Sequence, residues 1–366
     1  MERERQDNSP LREQIGDVLR QHILEGKFGQ GGRLPSVRKL ATEYNLSKST
    51  VANAIASLKQ QGLLRTTQKQ GVYTCSGTTP QQVQKKRTGR IGVFAHGNGD
   101  VLRERIYFDA FYGMRTAASS RGYTVLYLGS EVSDDTSSEM PFGIRDIDGL
   151  VYLVSMSVSK KFVAEVIKRE IPLVMLDSRD TRFNIDSVLV DNIEGTKLAM
   201  RHLIGLGHRR IALLNSSTGQ SAPERLEGYR EALREAGVPF DPRLVKQGSS
   251  KISDGRSMMR ELLPLQPTAV FAFSDYLGLG AITAAEDAGL SIPGDLSVAS
   301  FGNEAQGYGE CVGHALTTVD VDMRGMGAAA VELLMKRMAG STEPSEAMRV
   351  KSNLLIGTTT AKPRSS

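Results

Sequence analysis

A chain of 366 residues with 40% hydrophobic residues is long enough to bury two or three cores, which excludes disorder as the default state. The formal charge is only +5 but unevenly laid out: Met1 to Thr88 holds 15 Lys and Arg against 7 Asp and Glu, the remainder 31 against 34. Between Tyr44 and Thr88 stand seven basic residues and no acidic one, so a polyanionic partner is expected for the N-terminal quarter alone.

The opening MERERQDNSP has no apolar core of the signal-peptide kind, and no apolar run approaches the ~18 residues that a membrane span requires. A cytoplasmic protein with no membrane partner is the expectation. Cys75 and Cys311 offer neither a metal spacing nor a disulfide framework, and no metal or cofactor is expected.

In chain order, Leu11, Ile15, Val18, Leu19 and Ile23 recur at helical spacing and Gly26 supplies a stop, which predicts a helix over Leu11 to Glu25. Ser36 after Pro35 caps a short helix through Tyr44, with Val37, Leu40 and Ala41 inward. Ser47 caps the next, in which Val51, Ile55 and Leu58 form the buried stripe before Gly62. Two short helices on a three-to-four-residue turn make a helix-turn-helix. The following LLRTTQKQGVYT has two β-prone ends around a polar turn with Lys69 and Gly71, the pattern of a wing. The exposed N-terminal face of the last helix then carries Lys48, Ser49, Thr50 and Asn53, short donors and acceptors suited to base edges and phosphates at a helix end that attracts anions. DNA is the partner that fits.

The whole of PLREQIGDVLRQHILEGKFGQGGRLPSVRKLATEYNLSKSTVANAIASLKQQGLLRTTQKQGVYT resembles a GntR-type winged-helix domain. The resemblance implies DNA contacts by Ser36 and Arg38 in PSVRKLA, by Lys48, Ser49 and Thr50 in SKSTV, and by the wing from Lys69 to Gly71. Where the family usually repeats an Arg after TV, this chain offers Asn53, which can be bidentate to adenine where Arg reads guanine.

Ser76 to Gly89 is polar and aperiodic and reads as a linker between a head at residues 1–75 and a body at 90–366. Its Lys85, Lys86 and Arg87 are open to either DNA-backbone contact or plain solvation. Beyond it, strand-like runs (RIGVFA, YTVLYL, GLVYLV, IPLVML, SVLV, RIALL, TAVFAF, LSVASF) alternate with helical segments such as Glu194 to Leu206 and Tyr276 to Ala288. Near-continuous apolar strands separated by helices predict an α/β body with doubly wound parallel sheets, and so many units predict two lobes. In such folds ligands sit outside the carboxyl ends of the strands. That points to His96 to Phe108, Asp177, Asp191, Ser216 to Arg225, Ser274, Asp275, Asn303 and Glu304, with aromatic Tyr107, Phe108 and Phe271 nearby. The composition suits stacking and hydrogen bonding of a small polyhydroxy or heterocyclic ligand.

VDNIEGTKLAMRHLIGLGHRRIALL, ERLEGYREALREAGVPFDP, the run from PTAVFAFSD to VASFGN, and ALTTVDVDMRGMGAAAVELLMKRM resemble the effector domain of LacI/GalR-type regulators, a periplasmic-binding-protein-like fold, over about Arg90 to Ala361. The combination of head and body resembles AraR-like repressors. The resemblance implies that Arg225 clamps the ligand and that Ser274 and Asp275 stand for the family's Asn-Asp pair. The family's Phe-Asp-Asp becomes Phe301, Gly302 and Asn303, which removes a carboxylate that often grips a sugar hydroxyl; Glu304 is the candidate replacement. The loss leaves open an effector other than a neutral hexose. A polar tract with Pro141 and Gly143 replaces a helix that in the family helps form the dimer surface, so only a short turn is expected there.

HGNGDVL mimics a dinucleotide loop without its third glycine, no GxSxG, HExxH or P-loop occurs, and His22, His96, His202, His208 and His314 are scattered. No catalytic residue is therefore assigned. The sequence predicts a homodimeric, ligand-responsive transcriptional repressor; the alternative is an α/β ligand-processing enzyme or ligand-binding protein carrying a DNA-binding head.

Overall fold

The computed structural model describes residues 15–23 except 17 and 21, 27–60 except 30, 62–67, 71–75, 87–96, 105–129, 144–154, 159–217, 221–303 and 313–364. The chain divides into two compact units, Met1–Arg87 and Thr88–Ser366. Residues 76–86 of the expected linker lie outside the described residues, as do 130–143, where the weakened helix was expected.

In the first unit, helical turns over 15–23 bring Ile15, Leu19 and Ile23 onto Leu40, Val51, Ile55 and Leu58. Helix α1 (Val37–Glu43) begins at Ser36, whose Oγ accepts the Lys39 N–H at 3.2 Å. Asn45, at φ 51, turns the chain into α2 (Lys48–Gln60). Asn is among the few side chains that tolerate this left-handed region. Strands β1 (Leu64–Thr67) and β2 (Gly71–Thr74) pair antiparallel, Leu64 opposite Thr74, and Arg33 bridges Tyr73 as a third short edge.

The second unit contains two six-stranded sheets. In the first, β3 (Arg90–His96), β4 (Thr124–Tyr127), β5 (Gly149–Val154), β6 (Leu173–Leu176), β7 (Asp186–Val190) and β13 (Ala347–Val350) lie in the order β4-β3-β5-β6-β7-β13, all parallel. In the second, β8 (Ile211–Ser216), β9 (Val245–Gly248), β10 (Ala269–Ala272), β11 (Ser297–Phe301), β12 (Thr317–Val321) and β14 (Ser352–Leu355) follow the same winding, β9-β8-β10-β11-β12-β14. Only β14 runs antiparallel, against β12. The eight strand-like runs of the sequence all appear; β9, β12, β13 and β14 are short or polar, and their pairing across the chain was not legible locally.

Helices cover the sheets: α3 (Arg105–Ser119), α4 (Lys160–Lys168) and α9 (Met323–Met338) on lobe 1, and α5 (Asn192–Gly205), α6 (Ser221–Glu235), α7 (Ile252–Leu262) and α8 (Asp275–Asp287) on lobe 2. A Cβ on Gly113 would lie 2.0 Å from the Arg324 carbonyl, and one on Gly327 2.0 Å from that of Ala110, so α3 and α9 touch backbone to backbone. The chain crosses between lobes three times, at Asp191 (β7 to α5), Asp322 (β12 to α9) and Lys351 (β13 to β14). Asp191 and Asp322 also cap the helices they begin. The first and third crossings are tied together, the Asp191 N–H donating to the Val350 carbonyl at 3.3 Å.

Among the described residues of lobe 1, Asp186 and Arg337 form a buried ion pair. Asp186, 2% exposed, accepts from Arg337 Nε at 2.6 Å and Nη2 at 2.8 Å and from the Glu346 N–H at 2.7 Å. Burial alone would raise this carboxyl, but the Arg337 hydrogen bonds and the Glu346 N–H outweigh it and hold it below its ordinary value. Arg337→Met is expected to lower unfolding stability by about 3 to 5 kcal/mol at pH 7, because it strands a buried carboxylate. A depressed pKa contributes stability above the unfolded value and loses it as pH falls through the folded one, so the difference should shrink below about pH 4. Urea titrations of both proteins at pH 7 and pH 3.5 check this.

Among the described residues no helix is long and apolar enough to cross a membrane, and no group of three or more His, Cys, Asp or Glu is placed to hold a metal ion.

Candidate nucleic-acid interface and effector cleft

Helix α2 begins with a hydroxyl cluster. Ser47 Oγ accepts the Thr50 N–H at 3.1 Å and lies 2.8 Å from Ser49 Oγ and 2.7 Å from Thr50 Oγ1. No acidic residue occupies the first turn. Lys48, Ser49, Ala52, Asn53 and Ala56 are exposed, one stripe at helical spacing that starts at the positive helix end. Thr50 departs from expectation: it is 5% exposed and its hydroxyl is turned into the cap. Its expected role is in the cap, so Thr50→Ala should cost the head about 1 kcal/mol without changing the salt dependence of DNA binding. Thermal melting and a salt titration of the same variant separate the two effects.

Arg38 is exposed on α1, while Ser36 spends its Oγ on the cap. Lys69 lies outside the described residues. Gly71 sits at φ 114, and a Cβ there would be 3.0 Å from Arg33 Nε, so the Arg33 side chain lies over the end of the wing. Arg33 carries no sequence signal of its own, and Ala52 rather than Asn53 directly follows Thr50-Val51, so the departure from the family's Arg falls on an alanine with Asn53 beside it. Ala52 and Ala56 are small as well as exposed and leave a low surface along α2.

In the second unit, Arg225, Asn192 and Glu224 of lobe 2 come together with Arg349 of lobe 1. Arg225, in the first turns of α6, has its guanidinium carbon 3.7 Å from the Phe301 ring centroid and 4.2 Å from that of Phe273. Its Nε donates to Asn192 Oδ1 at 3.0 Å and its Nη1 to the Phe273 carbonyl. A guanidinium held by aromatic rings and two acceptors loses little further freedom when it binds a ligand. Asn192 also donates from Nδ2 to Glu224 Oε2 at 2.9 Å, and Glu224 Oε1 accepts from Arg349 Nη2 of lobe 1 at 3.1 Å.

Asp177, directly after β6, lies in the left-handed region at φ 59, and Asn303, two residues past β11, at φ 52. Such backbone at strand ends is where functional strain collects. Burial pushes the Asp177 carboxyl up to about 6; the Arg225 guanidinium pulls against this and Glu224 adds to it. Asn303 donates from Nδ2 to Asp320 Oδ1 at 2.7 Å, so Asp320 supplies a carboxylate beside the position where the sequence lacks one. Glu304, the expected substitute, lies outside the described residues.

Several expected cleft residues are elsewhere. Phe271 is wholly buried within β10 and Tyr107 is buried against α3's neighbours in the core; Phe273, just past the strand end, is one of the two rings that meet Arg225. Asp275 is wholly buried, accepting from Ser300 Oγ at 2.6 Å and Thr318 Oγ1 at 2.7 Å, and Ser274 is the buried N-cap of α8, accepting the Leu277 N–H. These two organise the sheet end rather than face the cleft. Phe108 is 54% exposed on α3. Asp191 is partly exposed and caps α5 through the Glu194 N–H. His208 is buried between Thr268 Oγ1 (3.0 Å), Ser297 Oγ (3.1 Å) and the Ala361 carbonyl (2.9 Å), a structural turn residue.

With this geometry, comparison with known proteins is specific. The family described as "Bacterial regulatory proteins, gntR family" matches residues 11–74, and "Periplasmic binding protein-like domain" matches residues 200–360. The HTH-type transcriptional regulator DegA of Bacillus subtilis is 30% identical over 252 residues, 66% of this chain and 72% of that protein. The HTH-type transcriptional repressor PurR of Klebsiella pneumoniae is 26% identical over 338 residues, 88% and 96% of the two chains. Among solved structures, a LacI-family regulatory protein from Chloroflexus aggregans superposes with TM-score 0.67 at 25% identity, covering 75% of this chain and 99% of that one. The transcriptional regulator CelR in complex with cellobiose superposes with TM-score 0.67 at 23% identity, covering 89% and 100%. The chain belongs to the LacI-family transcriptional regulators, with a gntR-type winged helix-turn-helix head on its periplasmic-binding-protein-like body.

Proposed function

We propose that this regulator is a cytoplasmic homodimeric repressor whose operator affinity is set by a carbohydrate-like molecule bound between the two lobes of its body. The observation that carries the reading is Arg225, stacked between Phe273 and Phe301 beside the first lobe crossing. A sugar offers hydroxyl donors to Asp177, Asp191, Asp320 and Asn303 and acceptors to Arg225, and its apolar face suits an aromatic wall. The cellobiose held by CelR supports the class without naming the molecule.

In each protomer α2 enters a major groove, Lys48, Ser49, Ala52 and Asn53 reading bases and phosphates, while Arg38 and the wing from Lys69 to Gly71 contact the backbone. Two heads on a pseudo-palindromic operator require a fixed spacing. Ligand closes the lobes, which changes that spacing and releases DNA. A ligand shifts this equilibrium only by its differential affinity, so coupling of about 1 to 3 kcal/mol weakens operator binding about 5- to 150-fold. No step of this scheme makes or breaks a covalent bond.

A thermal-shift panel of D-ribose, cellobiose and other pentoses, hexoses and uronic acids tests the class. A sugar at about 100 times its dissociation constant adds about 2.7 kcal/mol to the native state and raises the melting temperature measurably. Silence across the panel would reject a carbohydrate effector.

A further inference from the structure

Two of the three lobe crossings and the Arg225 site are joined by a continuous run of hydrogen bonds. It starts in lobe 1 at Arg349, on β13, two residues before the third crossing at Lys351. Arg349 Nη1 donates to the Val190 carbonyl at 3.4 Å, immediately before the first crossing, and Nη2 reaches Glu224 of lobe 2 at 3.1 Å. Glu224 accepts from Asn192 at 2.9 Å, and Asn192 accepts from Arg225 at 3.0 Å. The first two contacts therefore touch two of the three crossings, and the last ends on the residue proposed to hold the ligand.

Asn192 is the joint of this run. It follows the first crossing directly and is 5% exposed. Its amide donates to an anion and accepts from a cation at once, so both of its bonds are charge-assisted. The outer pair is weaker: the side chains of Arg349 and Glu224 remain 43% and 34% exposed. An ion pair so exposed contributes little on its own. Its position matters more than its strength, since a movement of β13 relative to α6 pulls on Glu224, and Glu224 shares Asn192 with Arg225.

We propose that Asn192 is a positioning residue that couples the orientation of Arg225 to the arrangement of the lobes, with Glu224 and Arg349 as its arm into lobe 1. The inference rests on the reading of Arg225 as the ligand clamp. Occupying the clamp then biases the crossings through Asn192, and separating the lobes loosens the clamp.

Hydrogen–deuterium exchange of the full-length, ligand-free protein tests this with Asn192→Leu, Arg349→Met and the double variant. Asn192→Leu keeps the side-chain volume and removes both amide bonds. Amides of residues 349–352 should exchange about tenfold faster in Asn192→Leu and about threefold faster in Arg349→Met. The double variant should be no faster than Asn192→Leu, because the outer pair acts through Asn192. Exchange in β8, β10 and β11 should stay at the wild-type rate, which a general loss of packing would not allow. Unchanged exchange at 349–352, additive effects in the double variant, or faster exchange throughout lobe 2 would each overturn the proposal. Asn192→Asp gives a second reading: it keeps the acceptor for Arg225 and places a carboxylate against Glu224, so 349–352 should be faster while the α6 amides around Arg225 stay protected. No ligand enters this experiment, so its failure is distinct from failure of the clamp assignment, which ligand binding to an Arg225 variant decides.

Discussion

Replacing Arg225 by alanine is expected to abolish the response to effector while operator affinity stays near that of the unliganded wild type. The side chain combines two ring contacts at 3.7 and 4.2 Å with hydrogen bonds to Asn192 and the Phe273 carbonyl, and no other described cation is placed between those rings. Truncation removes the ligand's charged donor and leaves Asn192 Oδ1 without its cation. Charged hydrogen bonds are worth about 1.5 to 3 kcal/mol each, so effector affinity should fall about 100-fold or more. Arg225→Lys keeps the charge but not the planar fork, and should recover only part of the loss. Calorimetric titration of the variants with the sugar identified by thermal shift reads the affinity, and fluorescence anisotropy on operator DNA reads the response. A normal response from Arg225→Ala would show that the ligand sits elsewhere.

Lys48→Ala should produce the complementary defect. Lys48 stands exposed in the first turn of α2, next to a helix end with no acidic neighbour in that turn. If its ammonium neutralises one phosphate per protomer, its loss reduces the slope of log affinity against log salt by about one per head and weakens binding about tenfold at low salt. Effector affinity should be unaffected, because the pocket residues belong to the other unit. An unchanged salt slope would remove Lys48 from the interface.

The parts of this molecule that were legible in the sequence are those fixed by neighbours along the chain. Ser36 and Ser47 mark helix starts because their hydroxyls satisfy amides three residues on, and Val51, Ile55 and Leu58 mark a buried stripe because helical spacing puts them on one face. Thr50 belongs to the same local pattern, yet its hydroxyl lies against Ser47 Oγ, since a hydroxyl beside a cap can turn either way and only packing decides. In the body, the apolar strands announced the winding, whereas β13 owes its place to β7, about 160 residues away, and β14 pairs antiparallel with β12 although neither carries a local signal for that pairing. The same holds for the site. Arg225 was reachable through family resemblance, but Glu224 and Arg349 meet across 125 residues, and Asp320 reaches Asn303 across 17. Phe271 illustrates the opposite case: position near a strand end says nothing about which side of the sheet a ring faces, and it lies in the core while Phe273 meets Arg225.

The central claim is that a small molecule between the lobes controls the grip of the heads on DNA. Its most direct test is operator affinity of the purified full-length protein by fluorescence anisotropy, on a duplex selected from a random pool, with and without a saturating sugar chosen by thermal shift. The sugar should weaken operator binding by about 5- to 150-fold, and Arg225→Ala should erase the difference. Equal operator affinity with and without a sugar that demonstrably binds the body would contradict the claim.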